Sequence, residues 1–220
     1  MITVSKIVLM IICTAGLAIS ALLLVRQAQA FLLEHSGPAL TRLQIWSVTT
    51  IFTCCSLLIL TRMIFFSTAW EDTGRAITLL AWGIPMTLLD IRNYWLPLRF
   101  TSGFWLTGLL FTLLPAPLLP LTEALVGSIT MFLALYILHF IAKNLRGEEG
   151  IGLGDVHLIA ALCAWFPWQI ASLLSGSAFF LFAITALITR KMAQPYAPWL
   201  FGVLAVLSGC FTHLKIGDAL

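Results

Sequence analysis

An all-α, polytopic integral membrane protein of about eight transmembrane helices is the fold class that this sequence predicts. Three observations point to it. Residues of the set AVILMFWYC make up 60% of the 220 residues, and charged residues only 10%, with a mean hydropathy of +1.03. A soluble domain carries about a quarter charged residues, so a chain this apolar has too little polar surface to cover a compact globule. That excludes a soluble enzyme. The apolar residues also gather in runs approaching the roughly 20 residues that cross a bilayer. Helix-stopping chemistry separates the runs.

The first span is expected over 7–25. Ala28-Gln29-Ala30 resembles the cleavage site of a secretory signal. The apolar run is longer than the hydrophobic region of such a signal, however, and Arg26 stands between run and site. The run is therefore read as a retained span. Ser36-Gly37-Pro38 breaks the chain before a second span over 45–66. A short third span, 75–89, carries Pro85, which kinks or ends it. The fourth, 100–114, is also short and stops at the prolines between 115 and 120.

The fifth span, 121–141, leads into the glycine-rich stretch 147–154. A short sixth follows over 156–167 and ends at Pro167. The seventh covers 170–188, Gln194-Pro195 breaks it, and the eighth covers 198–211. With no repeat and no long linker, 1–220 is expected to form a single membrane-embedded domain. Cys13, Cys54, Cys55, Cys163 and Cys210 lie inside apolar runs without a C-x-x-C pair. They read as small fillers of helix interfaces rather than metal ligands.

Orientation follows from Lys and Arg counted by side. With eight spans, loops 1–2, 3–4, 5–6 and 7–8 share one face and hold Arg26, Arg42, Arg92, Arg99, Lys143, Arg146, Arg190 and Lys191. The other face holds Lys6, Arg62, Arg75 and Lys215. Eight against four places the first set in the cytoplasm and both termini in the periplasm. A net charge of +3 is too small and too scattered for a nucleic-acid partner.

Most acidic residues sit in loops or at span ends, where solvated charge is expected. Asp90 and Asp155 differ. Asp90 closes the apolar stretch 79–89, and Asp155 lies between Gly152-Leu153-Gly154 and the apolar 156–161. Both fall at span-to-loop junctions on the face assigned to the cytoplasm. Ionisable groups at membrane depth point to function, and glycines beside one of them let another chain approach closely. Two carboxyls a few ångströms apart cannot both ionise, so they share one proton. The ionised member can take a proton from water while the protonated member donates to a peptide carbonyl oxygen. No rival catalytic set is present. The four histidines are scattered, and no G-x-S-x-G, H-E-x-x-H or P-loop occurs.

The stretch Glu149-Gly150-Ile151-Gly152-Leu153-Gly154-Asp155-Val156-His157-Leu158-Ile159-Ala160-Ala161-Leu162-Cys163-Ala164-Trp165 resembles the E-G-x-G-x-G-D-x-K-L-x-A-A-x-G-A-W motif of the type IV prepilin peptidases. Those are GxGD aspartic membrane proteases that process pilins and type II secretion pseudopilins. Earlier in the chain, Asp90-Ile91-Arg92-Asn93-Tyr94-Trp95-Leu96-Pro97 is similar to the family's D-x6-P loop. The likeness runs from about Leu79 to Ala205 if Pro198-Trp199-Leu200 is taken as the family's F-G-P-x-L region. It implies that Asp90 and Asp155 are catalytic, with Glu149, Gly152, Gly154, His157 and Pro97 in support, and that proteolysis needs no cofactor or metal. It further implies cleavage of a short basic leader from a prepilin at the cytoplasmic face of the bacterial inner membrane. The partners are then the prepilin or pseudopilin and the lipid bilayer.

The departures are specific. His157 stands where the family has Lys, and a titratable imidazole there would make activity pH-dependent. Glu148 replaces a common basic residue, Cys163 a frequent Gly, and Leu98 follows Pro97 where many members have Asp. Many members carry a cysteine-bearing insert between the first two spans, associated with zinc and with N-methylation from S-adenosylmethionine. Here that loop is 26–44 and holds no cysteine, so methyl transfer stays open. Gly152–Asp155 also resembles the Gly-Leu-Gly-Asp of presenilin-type proteases, but Pro38-Ala39-Leu40 lies upstream of both aspartates and reads as coincidence. Two other readings compete: a non-catalytic assembly subunit of the same family, and a proton-coupled transporter. A transporter predicts midplane carboxylates and an internal repeat.

Overall fold

The structure, a computed structural model, describes residues 4–66, 68–146, 152–190 and 194–210. Among them are eight helices and no strand: α1 Val4–Glu34, α2 Arg42–Phe66, α3 Trp70–Asn93, α4 Leu98–Phe111, α5 Leu121–Arg146, α6 Leu153–Leu162, α7 Trp168–Thr189 and α8 Ala197–Cys210. Each expected span has its helix. Four of them, α1, α2, α5 and α7, are long and apolar enough to cross a membrane, while α6 and α8 are shorter apolar helices.

Helices end where caps end them rather than where hydropathy falls. Polar residues do not stop a backbone hydrogen-bond ladder, so α1 runs on through Arg26 and Ala28-Gln29-Ala30 to Glu34. It closes at Ser36, whose φ is 54°, with Gly37 N–H donating to the Leu32 carbonyl at 2.7 Å. This is the reversed turn that stops many helices. Just before α2, Thr41 and Gln44 form a reciprocal capping box. Thr41 N–H donates to Gln44 Oε1 at 2.9 Å, and Gln44 N–H donates to Thr41 Oγ1 at 3.2 Å. The same logic shifts other bounds. α3 begins at Trp70 and continues through Pro85 and past position 89. α4 stops at Phe111, short of 114. Pro167 does not end a long sixth span but stands immediately before α7 as its N-cap.

Lipid tails are as apolar as leucine, so packing and interhelical hydrogen bonds must hold such helices together. α3 is the hub: it packs against α1, α2, α4 and α8, and every residue from Gly83 to Asp90 is buried. α1 joins this core through Ala21, Val25, Ala28 and Leu32, all buried. Their spacing of four, three and four lays them on one helix face. Two are alanines, which lets the backbones approach. α6 packs between α4 and α5, and α8 against α3 and α7. Trp165, just after α6, donates its indole N–H to the Phe104 carbonyl of α4 at 3.0 Å and stacks on the Phe104 ring at 5.1 Å. Cys163 is buried in the same region, as expected of a small filler.

Candidate active site

Asp90 lies in the last turn of α3, inside the helix rather than beyond it, and is 4% exposed. Tyr94 caps that helix in the left-handed conformation, φ 54° and ψ 33°, with its N–H on the Asp90 carbonyl at 2.9 Å. This geometry costs a non-glycine residue about 1–2 kcal/mol. The reversal folds Trp95-Leu96-Pro97 back toward the helix bundle, and Pro97 starts α4 as its N-cap.

Asp155 lies in the first turn of α6 and is partly buried. Gly152 is the N-cap in an extended conformation, and its carbonyl accepts from the N–H groups of Asp155 at 3.0 Å and Val156 at 3.1 Å. The glycines have steric work here. A β-carbon on Gly154 would meet Leu96 of the 3–4 turn at 2.6 Å, and one on Gly152 would stand 3.2 Å from Asp155 Oδ2. The D-x6-P turn and the G-x-G-D turn thus touch each other directly.

A cavity of about 750 Å³ opens where they meet. Asp90 and Asp155 both line it. The 3–4 turn contributes Tyr94 to Pro97, and the α6 N-terminus contributes Gly152 to Asp155. Phe31 and His35 from the end of α1 form one wall, Phe179 and Phe182 of α7 another, and Gln194 and Tyr196 approach from the segment before α8. The described ends of α1, α3 and α6, the 3–4 turn and residues 194 and 196 therefore meet at this cavity. Phe31 and His35 stack at 4.1 Å, and Trp95 meets both rings edge-on at 6.2 Å. Trp95, which from the sequence fits either an interfacial belt or the lining of a substrate groove, lines the cavity.

Of the residues singled out in the sequence, Asp90, Asp155, Gly152, Gly154 and Pro97 come together at this cavity. His157 is not among its lining residues: its Nδ1 donates to the Leu153 carbonyl at 2.7 Å, and its ring lies 5.0 Å from that of Phe132 on α5. Glu149 lies outside the described residues. Sequence reasoning missed Phe31, His35, Gln194 and Tyr196. Loop parity was the available signal, since it already placed loops 1–2 and 7–8 on the face of both aspartates. Among the described residues, no group of three or more His, Cys, Asp or Glu side chains is placed to hold a metal ion.

Comparison with known proteins extends this geometry. The model of the type IV leader peptidase family matches residues 77–214, more than half of the chain, from within α3 through α8. The chain belongs to the type IV leader peptidase family. A prepilin leader peptidase/N-methyltransferase of Aeromonas salmonicida (strain A449) is 37% identical over 144 residues, covering 61% of this chain and 49% of that protein. Similarly named proteins match from Pectobacterium carotovorum subsp. carotovorum, 35% over 150 residues (64% and 51%), and Stutzerimonas stutzeri, 30% over 159 residues (70% and 53%). The chain spans about half the length of the curated relatives it matches. No solved structure matches it. Within this leader peptidase family member, Phe31 and His35 stand out, because they reach the cavity from a helix outside the matched residues.

Proposed function

We propose that this chain is an aspartic endopeptidase that removes the short basic leader of type IV prepilins or pseudopilins at the cytoplasmic face of the bacterial inner membrane. One observation carries the reading: two aspartates from separate motifs line a single cavity. The pair shares a proton. Its ionised member draws a proton from water, the hydroxide attacks the scissile carbonyl carbon, and the protonated member donates to the carbonyl oxygen. Collapse of the tetrahedral intermediate expels the amine, which takes up a proton as it leaves. The work of the fold is positioning: Asp90 is held in a buried helix end, and Asp155 follows a glycine turn that lets Leu96 approach.

The cytoplasmic assignment rests on the eight-to-four bias of basic residues. It is supported by the described residues beside those loops, among them His35, Trp95, Gly152 and Tyr196, which line one cavity. N-methyl transfer, the second activity in the relatives' names, lies outside this proposal. S-adenosylmethionine would be its co-substrate, and product mass reports it directly. The test is purified protein in proteoliposomes incubated with a prepilin, followed by mass spectrometry. Loss of the leader mass supports the peptidase. A further ~14 Da, one CH₂ by formula, would add methyl transfer. An uncut prepilin, repeated with a pseudopilin, would favour the non-catalytic assembly subunit.

A further inference from the structure

Residues 194–196, just before α8, are tied down more heavily than a connector needs to be. Gln194 Nε2 donates to Thr189 Oγ1 at 2.7 Å, and Thr185 Oγ1 donates to Gln194 Oε1 at 3.2 Å. The buried Tyr196 hydroxyl donates to the Ser175 carbonyl at 3.0 Å. All three partners are on α7. The segment's backbone then points the other way: Ala197 N–H donates to Asp90 Oδ2 at 2.7 Å, and the Tyr196 amide is a second donor directed at the same carboxyl.

We propose that residues 194–197 form a clamp, with Tyr196 and Ala197 as positioning residues that hold the Asp90 carboxyl in its reactive orientation toward Asp155. This rests on the peptidase reading given above. The physical reason is the helix terminus. Ala197 is the first residue of α8, and the first N–H groups of a helix have no partner within it. Donating to Asp90 therefore takes nothing from α8, and its positive end faces a carboxyl that lies at the negative end of α3. Other titratable groups at this carboxyl are Asp155 from α6 and Tyr196 itself, with His35, just after α1, and Tyr94 lining the same cavity. Without the clamp, the Asp90 side chain regains its rotamers, and displacement of a reacting group by about 1 Å can cost on the order of a hundredfold in rate.

The test removes one hydrogen. An amide-to-ester exchange at position 197, with lactate in place of the alanine, deletes the N–H and leaves the shape unchanged. The same exchange at Leu121, the first residue of α5 at the opposite end, is the control. The clamp predicts that the position-197 ester lowers kcat for prepilin cleavage about ten- to a hundredfold, with KM and the melting temperature close to wild type. The Leu121 ester should match wild type. Equal kcat for the two esters overturns the clamp while wild-type cleavage leaves the peptidase reading standing. A fall explained by a lowered melting temperature or raised KM overturns it as well. Absence of cleavage by wild type overturns both.

Discussion

Leu96 lies against Gly154 so closely that a β-carbon at position 154 would stand 2.6 Å from Leu96 Cβ and 3.0 Å from its carbonyl oxygen. The contact joins the turn after Asp90 to the turn before Asp155. The two aspartates are far apart in sequence, on α3 and α6, and these turns meet beside the cavity that both line. Gly154 is therefore a spacer between the two halves of the candidate site.

Gly154→Ala should destabilise the protein by about 1–3 kcal/mol through overpacking against backbone that cannot yield, and reduce cleavage at least tenfold. Gly176→Ala is the control. It lies in α7 with nothing within 4 Å of its would-be β-carbon, so it should be neutral or slightly stabilising. Thermal melts in detergent, paired with a prepilin cleavage assay, check both.

Restoring the family's lysine, His157→Lys, should change cleavage by no more than about threefold. Position 157 does not line the cavity, and its imidazole bonds one turn back along α6. A large gain or a displaced pH profile would show that this side chain reaches the carboxyls. Initial rates across a pH series measure it.

Phe31→Ala should raise KM while leaving kcat within a few-fold. The ring forms part of an aromatic wall with His35 and Trp95. Truncation removes wall area that a bound chain covers without touching the reacting groups. A steady-state titration with prepilin separates the two parameters.

Trp165→Phe should cost about 1 kcal/mol of stability, because it removes one buried hydrogen bond to a carbonyl that the α4 ladder still pairs. The stack on Phe104 survives in part, but the indole N–H that reaches the Phe104 carbonyl at 3.0 Å is lost. The melting temperature reports it.

How much of this was legible in the sequence varies by residue. Asp90 and Asp155 were legible because each is a carboxylate where apolar runs meet loops, and the glycines around Asp155 marked a close approach before Leu96 was known to make it. The eight helices were legible from hydropathy, but not their ends. Ser36, Tyr94 and the Thr41–Gln44 box set those through backbone geometry that hydropathy does not encode. Tyr196 and Ala197 were not legible as site residues, since their contribution is largely a backbone N–H that every non-proline residue carries. Phe31 and His35 were hidden in an apolar helix whose last turn looks like any other span end. His157 is the reverse case, a departure beside the motif whose side chain turns away from the cavity.

The most direct measurement is co-expression of a type IV prepilin with wild type, Asp90→Ala and Asp155→Ala, following pilin mass and confirming membrane insertion of each variant. A leader-sized loss with wild type alone, and intact prepilin with both inserted variants, is the predicted result. Continued leader removal by both aspartate variants would contradict the account.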